Sequence, residues 1–73
     1  MKKRFGEFIE WFNAQEKGEL MNISQIELLL HITYSSLREY IQLLVKEGCI
    51  KIEGRGNRRK YFKIKNYGLE KEE

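Results

Sequence analysis

The stretch NISQIELLLHITYSSLREYIQLLVKEGCIKIEGRGNRRKYFKIK, residues 22–65, decides the fold. Its hydrophobic period changes once. Up to Glu47, apolar residues recur every three or four positions, as on a helix with one buried face. From Cys49 they alternate, as on a half-buried strand. Two helices, a tight turn between them and a hairpin are therefore expected in that order.

Asn22 is placed to cap the first of these helices. Gln25, three residues on, completes the capping-box spacing. This helix spans about 22–30, with Ile23, Ile26, Leu29 and Leu30 at helical spacing and Leu28 beside them. His31 follows in a turn position, either left-handed or turned to solvent. Thr33 is a second N-cap candidate. Helices so closely joined must cross steeply, which makes a helix-turn-helix. The second helix, about 33–47, buries Leu37, Ile41, Leu44 and Val45. Its other face carries Tyr34, Ser35, Arg38, Glu39 and Gln42. Gly48 suits the C-cap, near Lys46. In the hairpin, about 49–65, Ile50 and Ile52 face one way and Cys49, Lys51 and Glu53 the other. The turn Gly54-Arg55-Gly56-Asn57 is followed by Arg58-Arg59-Lys60. Beyond it Phe62 and Ile64 are expected to face inward.

Upstream, residues 2–17 read as a further helix whose apolar stripe is Phe5, Phe8, Ile9 and Phe12. Trp11 lies off its centre, and Gly18 suits its C-cap. Glu19-Leu20-Met21 is a connector able to add a small strand to the hairpin. Residues 66–73 form an acidic tail in which Tyr67 and Leu69 are candidates to dock on the body or on a partner. The whole of 1–73 is one domain, with no repeat and no linker.

A chain of 73 residues buries only a modest core. One cysteine excludes an internal disulfide, and one histidine with one cysteine cannot supply a four-ligand zinc site. Self-association remains as a source of stability, so a homodimer is expected. Its contacts are assigned to Phe5, Phe8, Trp11, Tyr67 and Leu69. No apolar run is long enough to span a bilayer, and MKKRF lacks the apolar segment of a secretory signal. The expectation is a soluble, cytoplasmic protein with no membrane partner.

Charge is unevenly spread. Residues 1–33 carry four basic and five acidic side chains (−1), residues 34–65 nine and three (+6), and residues 66–73 one and three (−2). The positive charge gathers on the second helix of the pair and on the hairpin, as expected for a protein that meets a polyanion. No Ser-His-Asp arrangement, phosphate-binding glycine loop, metal cluster or paired carboxylates stand out. No enzyme, catalytic residue, metal, cofactor or small-molecule effector is expected.

The major groove of B-DNA admits one α-helix and displays distinguishable base edges. Residues 33–45 suit that role, with a polar face over an apolar one. Arg38 presents a planar fork of donors that matches guanine. Gln42 suits adenine or a phosphate. Ser35 and Ser36 permit close approach, and Tyr34 can contact a phosphate or a thymine methyl. Glu39 opposes phosphate but can accept from cytosine or hold Arg38 in place. Thr33 completes this set. In the hairpin, Arg55, Asn57, Arg58, Arg59 and Lys60 suit the sugar–phosphate backbone or a minor groove.

The stretch 22–65 resembles the winged helix-turn-helix domain of small bacterial, archaeal and archaeal-virus transcription regulators. The resemblance lies in NISQIELLL, HIT, YSSLREYIQLL, LVKEGCIKI and GRGNRRKYFKI, and most of all in the L-x-x-x-G-x-I form of Leu44 to Ile50. It covers about three-fifths of the chain. His31 in the turn and Glu39 on the reading face depart from it. It implies an α+β, mainly helical fold: a three-helix winged helix-turn-helix with a C-terminal β-hairpin wing. It further implies double-stranded DNA as the partner and transcriptional regulation, with repression as the simplest form. Winged helices also serve as protein-interaction modules and as non-specific nucleic-acid binders, and these remain the alternatives.

Overall fold

The computed structural model describes residues 3–68. In chain order it contains α1 (Lys3–Ala14), β1 (Gly18–Glu19), α2 (Ile23–Leu30), α3 (Tyr34–Lys46), β2 (Ile50–Glu53), a 3₁₀ turn (Gly56–Arg58) and β3 (Lys60–Lys63). The three helices share one core with a three-stranded antiparallel sheet of order β1-β3-β2. This is a small α+β domain, mainly helical.

The local signals around α2 and α3 act as their chemistry requires. Asn22 Oδ1 accepts from the Gln25 N–H at 2.9 Å, and Gln25 Oε1 accepts from the Asn22 N–H at 3.2 Å. This reciprocal pair satisfies two N–H groups that a helix start leaves without partners. α2 ends at His31, which is left-handed (φ 58°, ψ 39°) and also exposed. Thr33 Oγ1 then accepts from the Ser36 N–H at 3.4 Å and starts α3.

The core lies where all three helices meet the sheet. Phe8, Ile9 and Phe12 come from α1, Ile23 and Ile26 from α2, and Leu37, Tyr40, Ile41 and Leu44 from α3. Ile32 fills the angle between α2 and α3, and Cys49, Ile50 and Tyr61 close the core from the sheet. The ring of Tyr40 lies 5.6 Å from that of Phe8 and 5.1 Å from that of Phe5. Tyr40 therefore belongs to the buried stripe of α3, between Leu37 and Leu44, while Val45 is only half-buried.

Several expectations need correction. α1 stops at Ala14, not near residue 17, and Gly18 opens β1 at φ 121° instead of capping a helix. The Gln15 N–H donates to the Phe12 carbonyl at 3.0 Å and tightens the last turn, which ends the helix early. Leu29 is not part of the buried face of α2: it is 53 % exposed, and Leu28 is 77 % exposed. A helix of eight residues has room for one narrow stripe, and Ile23, Ile26 and half-buried Leu30 fill it.

The largest correction concerns β3. Tyr61 and Lys63 point inward, while Phe62 is half-buried on the other face and Ile64 is 44 % exposed. The register explains this. Ile50 pairs with Lys63 and Ile52 with Tyr61, and directly opposed residues share a face. Burying Ile50 thus commits Lys63 to the interior. Cys49 is buried as well, not turned outward. β1 supplies the expected extra strand, although it lies at Gly18–Glu19, with Gly18 opposite Lys63 and Glu19 opposite Phe62.

Of the residues assigned to a dimer contact, Phe8 is 1 % exposed and faces the core of its own chain, so it offers no surface. Phe5, Trp11 and Tyr67 are half-buried at the core edge, with the Phe5 ring edge-on to Tyr67 at 5.8 Å. Leu69 lies outside the described residues.

Candidate nucleic-acid interface

α3 presents its polar face along one side of the domain. Thr33, Tyr34, Ser35, Arg38, Glu39 and Gln42 are exposed, and Ser36 is half-buried. Tyr34, Ser35, Arg38, Glu39 and Gln42 line a shallow concavity on that face. The spacing 34, 35, 38, 42 is one helical stripe, held outward because Leu37, Ile41 and Leu44 anchor the opposite side.

The hairpin tip lies beside the start of this helix. Asn22, Ile23, Ser24, Tyr34, Arg38, Gly56, Arg59 and Tyr61 line one open groove of about 370 Å³. Its walls are the first turn of α2, the first turn of α3 and the tip of the hairpin. Arg38 of the helix and Arg59 of the hairpin thus serve the same groove. A second groove on the β1 side is lined by Asn22, Gln25, Arg58, Arg59 and Lys60, with Glu19, Leu20, Met21 and Tyr61. Asn22, Gln25, Ser24 and Tyr61 were not expected here. Their cap and strand roles conceal the part they play in shaping the groove, although an N-cap marks where helix N–H groups point outward.

The hairpin tip owes its form to its glycines. Gly54 adopts φ 85°, and a Cβ there would collide with the backbone carbonyl of Arg58. Arg55, Arg58 and Arg59 are exposed and, among the described residues, make no ion pair. Lys60 lies 3.9 Å from Glu19, and Lys51 lies 3.3 Å from Glu53; both pairs are exposed and therefore weak. The backbone of Asn57 is part of the 3₁₀ turn. The first turns of α2 and α3 add the positive ends of two helix dipoles to the same side.

Not every basic residue of the 34–65 stretch is available. Lys63 is 3 % exposed, and its ammonium donates to the carbonyls of Phe12 (2.9 Å), Asn13 (3.3 Å) and Gln15 (2.5 Å). It also sits 4.8 Å from the centre of the Phe12 ring. Burial holds its pKa below the usual lysine value; repulsion from Lys17 adds to this and Cys49 partly offsets it. Arg4 does similar work for α2, donating to the carbonyls of Leu30 at 2.7 Å and His31 at 3.2 Å.

Among the described residues, no group of three His, Cys, Asp or Glu side chains is placed to hold a metal ion, and no helix is long and apolar enough to cross a membrane. Comparison of the chain with protein-family models, with curated proteins and with solved structures finds no match.

Proposed function

We propose that this chain is a winged helix-turn-helix domain that binds double-stranded DNA sequence-specifically and regulates transcription as a homodimeric repressor. The observation that carries this reading is the groove shared by Arg38 of α3 and Arg59 of the hairpin. A helix that inserts into a major groove needs a second grip on the neighbouring backbone to fix its register. Here the polar face of α3 and the exposed arginines of the wing lie on one side and can meet one duplex together. Arg38 and Gln42 read bases, with Ser35 and Ser36 allowing close approach. Arg55, Arg58, Arg59 and Lys60 hold phosphates. Bound across a promoter, such a domain blocks access to it.

A salt titration tests the partner. With Arg55, Arg58, Arg59 and Lys60 each at a phosphate, log affinity for duplex DNA is expected to fall against log salt with a slope of roughly −3 to −4. Affinity indifferent to salt, or no binding at low salt, removes the DNA reading. Selection of duplexes from a random pool then separates sequence-specific from non-specific binding.

One observation favours a second reading, a winged-helix protein-interaction module. Leu28 and Leu29 expose apolar surface side by side on α2. In that case the wing charge is incidental and the salt slope vanishes.

A further inference from the structure

Tyr34 is 50 % exposed, whereas Tyr40 and Tyr61 are buried at 5 % and 7 %. It stands at the first position of α3, one turn before Arg38. Residues four apart on a helix lie on one face, one above the other. The Arg38 guanidinium carbon lies 6.0 Å from the centre of the Tyr34 ring, within the range of a cation–π contact. The two side chains also line together both the concavity on α3 and the groove shared with the wing. Glu39 is the acidic neighbour of Arg38, yet the two form no ion pair among the described residues. Adjacent helix positions point about 100° apart, so Glu39 is poorly placed to steer it.

We propose that Tyr34 is the positioning residue for Arg38. Its ring holds the planar guanidinium over the start of α3, aimed where a base edge would enter. An arginine on an exposed helix otherwise spreads over many rotamers and must lose that freedom on binding. The stack removes part of that loss before the duplex arrives. Base discrimination at one position then belongs to the Tyr34–Arg38 pair, and Glu39 takes no part in it. This rests on the reading of α3 as the base-contacting helix, and it replaces a direct phosphate or thymine contact as the role of Tyr34.

Two measurements on the full chain test it. In the free protein, the ring current of Tyr34 is expected to shift the side-chain protons of Arg38 upfield. Tyr34→Leu abolishes that shift and Tyr34→Phe retains it. In competition between the selected duplex and its single-base variants, Tyr34→Leu is expected to weaken the preferred sequence by about 2- to 5-fold. It flattens the preference at the same base pair as Arg38→Ala and has no further effect when added to Arg38→Ala. Tyr34→Phe keeps the preference. Absence of the ring-current shift overturns the proposal. So does a Tyr34→Phe loss equal to that of Tyr34→Leu, or a Tyr34→Leu loss that persists in the Arg38→Ala background, since either makes Tyr34 a DNA contact in its own right. If the shift is present but Arg38→Ala leaves base preference intact, the base-reading role of α3 falls and takes the positioning role with it. The intact stack distinguishes that failure from the others. Tyr34 is exposed, so these substitutions leave the core untouched, and matched thermal unfolding verifies it.

Discussion

Lys63 stands where the alternation of a strand calls for an apolar side chain. The last carbonyls of a helix have no partners within it, and they form the negative end of its dipole. At the end of α1 the carbonyls of Phe12, Asn13 and Gln15 converge on the Lys63 ammonium, that of Phe12 also accepting from the Gln15 N–H. The lysine is therefore a structural cap delivered from 48 residues downstream of Gln15. In the string KYFKIK it looks like one more cation of a basic strand, because hydropathy alone favours Phe62 and Ile64 as the inward residues. Only the pairing with Ile50 reveals the phase. Lys63→Met keeps the volume but takes the ammonium from all three carbonyls and leaves that of Phe12 with the Gln15 N–H alone. It is expected to lower unfolding stability by about 2–4 kcal/mol in a urea titration at neutral pH; a loss under about 0.5 kcal/mol would show that other groups satisfy those carbonyls. The pH dependence has a definite sign. The folded state releases the Lys63 proton at lower pH than the unfolded chain, whose lysine titrates near 10.5. The ionisation of this group thus adds stability as pH rises towards 10.5 and loses it as pH falls through the lowered folded value. The stability difference between wild type and Lys63→Met is expected to widen with pH across that alkaline window.

At the scale of elements, sequence and structure agree best where a signal is local. The Asn22–Gln25 box and the Thr33 cap depend on neighbours within a few residues and are legible from residue type and spacing; at His31 the sequence leaves a left-handed or a solvent-facing residue open, and the structure shows both. α3 is legible for the same reason, apart from Tyr40, whose hydroxyl disguises a core position. The failures are tertiary. Leu29 fits the apolar period of α2, but Ile23, Ile26 and Leu30 already fill its one narrow buried stripe. Gly18 fits a helix C-cap, but the early close of α1 leaves it to begin a strand. The candidate site follows the same division. The exposed face of α3 and the arginines of the hairpin are visible in the chain, whereas the groove that joins Arg38 to Arg59 exists only after folding. The wing depends on its own local geometry. At Gly54 both the positive φ and the nearby Arg58 carbonyl oppose any side chain. Gly54→Ala is expected to cost about 1–3 kcal/mol of stability. By displacing Arg58 and Arg59 it should weaken all duplex sequences alike and make the salt slope shallower. Unchanged affinity in this variant would detach the wing from binding.

The whole molecule measures 38 × 23 × 19 Å, so its long axis slightly exceeds one turn of B-DNA. For two copies to read successive major grooves on one face of the duplex, a dimer must set their α3 helices about 34 Å apart. A dimer is expected in sedimentation at micromolar concentration, and a pseudo-palindromic site among selected sequences. A monomer at every concentration, with a single unpaired site, would leave the domain acting alone. The half-buried rings of Phe5, Trp11 and Tyr67 are the surface assigned to the proposed dimer contact. Trp11→Ala is expected to shift the equilibrium towards monomer while leaving the salt slope per chain unchanged.

The strand order has a consequence for how the protein is made. β3, the last strand among the described residues, is the middle one in the sheet, with β1 and β2 on its flanks. A ribosome delivers residues 1–59 before any of Lys60–Lys63 exists. Through that interval β1 and β2 have no strand between them, α1 lacks its lysine cap, and the apolar faces of three helices have no finished sheet to cover them. The helices can therefore form first, and the core closes only once Lys60–Lys63 have joined the sheet. Until then the apolar faces of the helices lack the cover of the finished sheet, a state in which an incompletely folded chain is prone to aggregate.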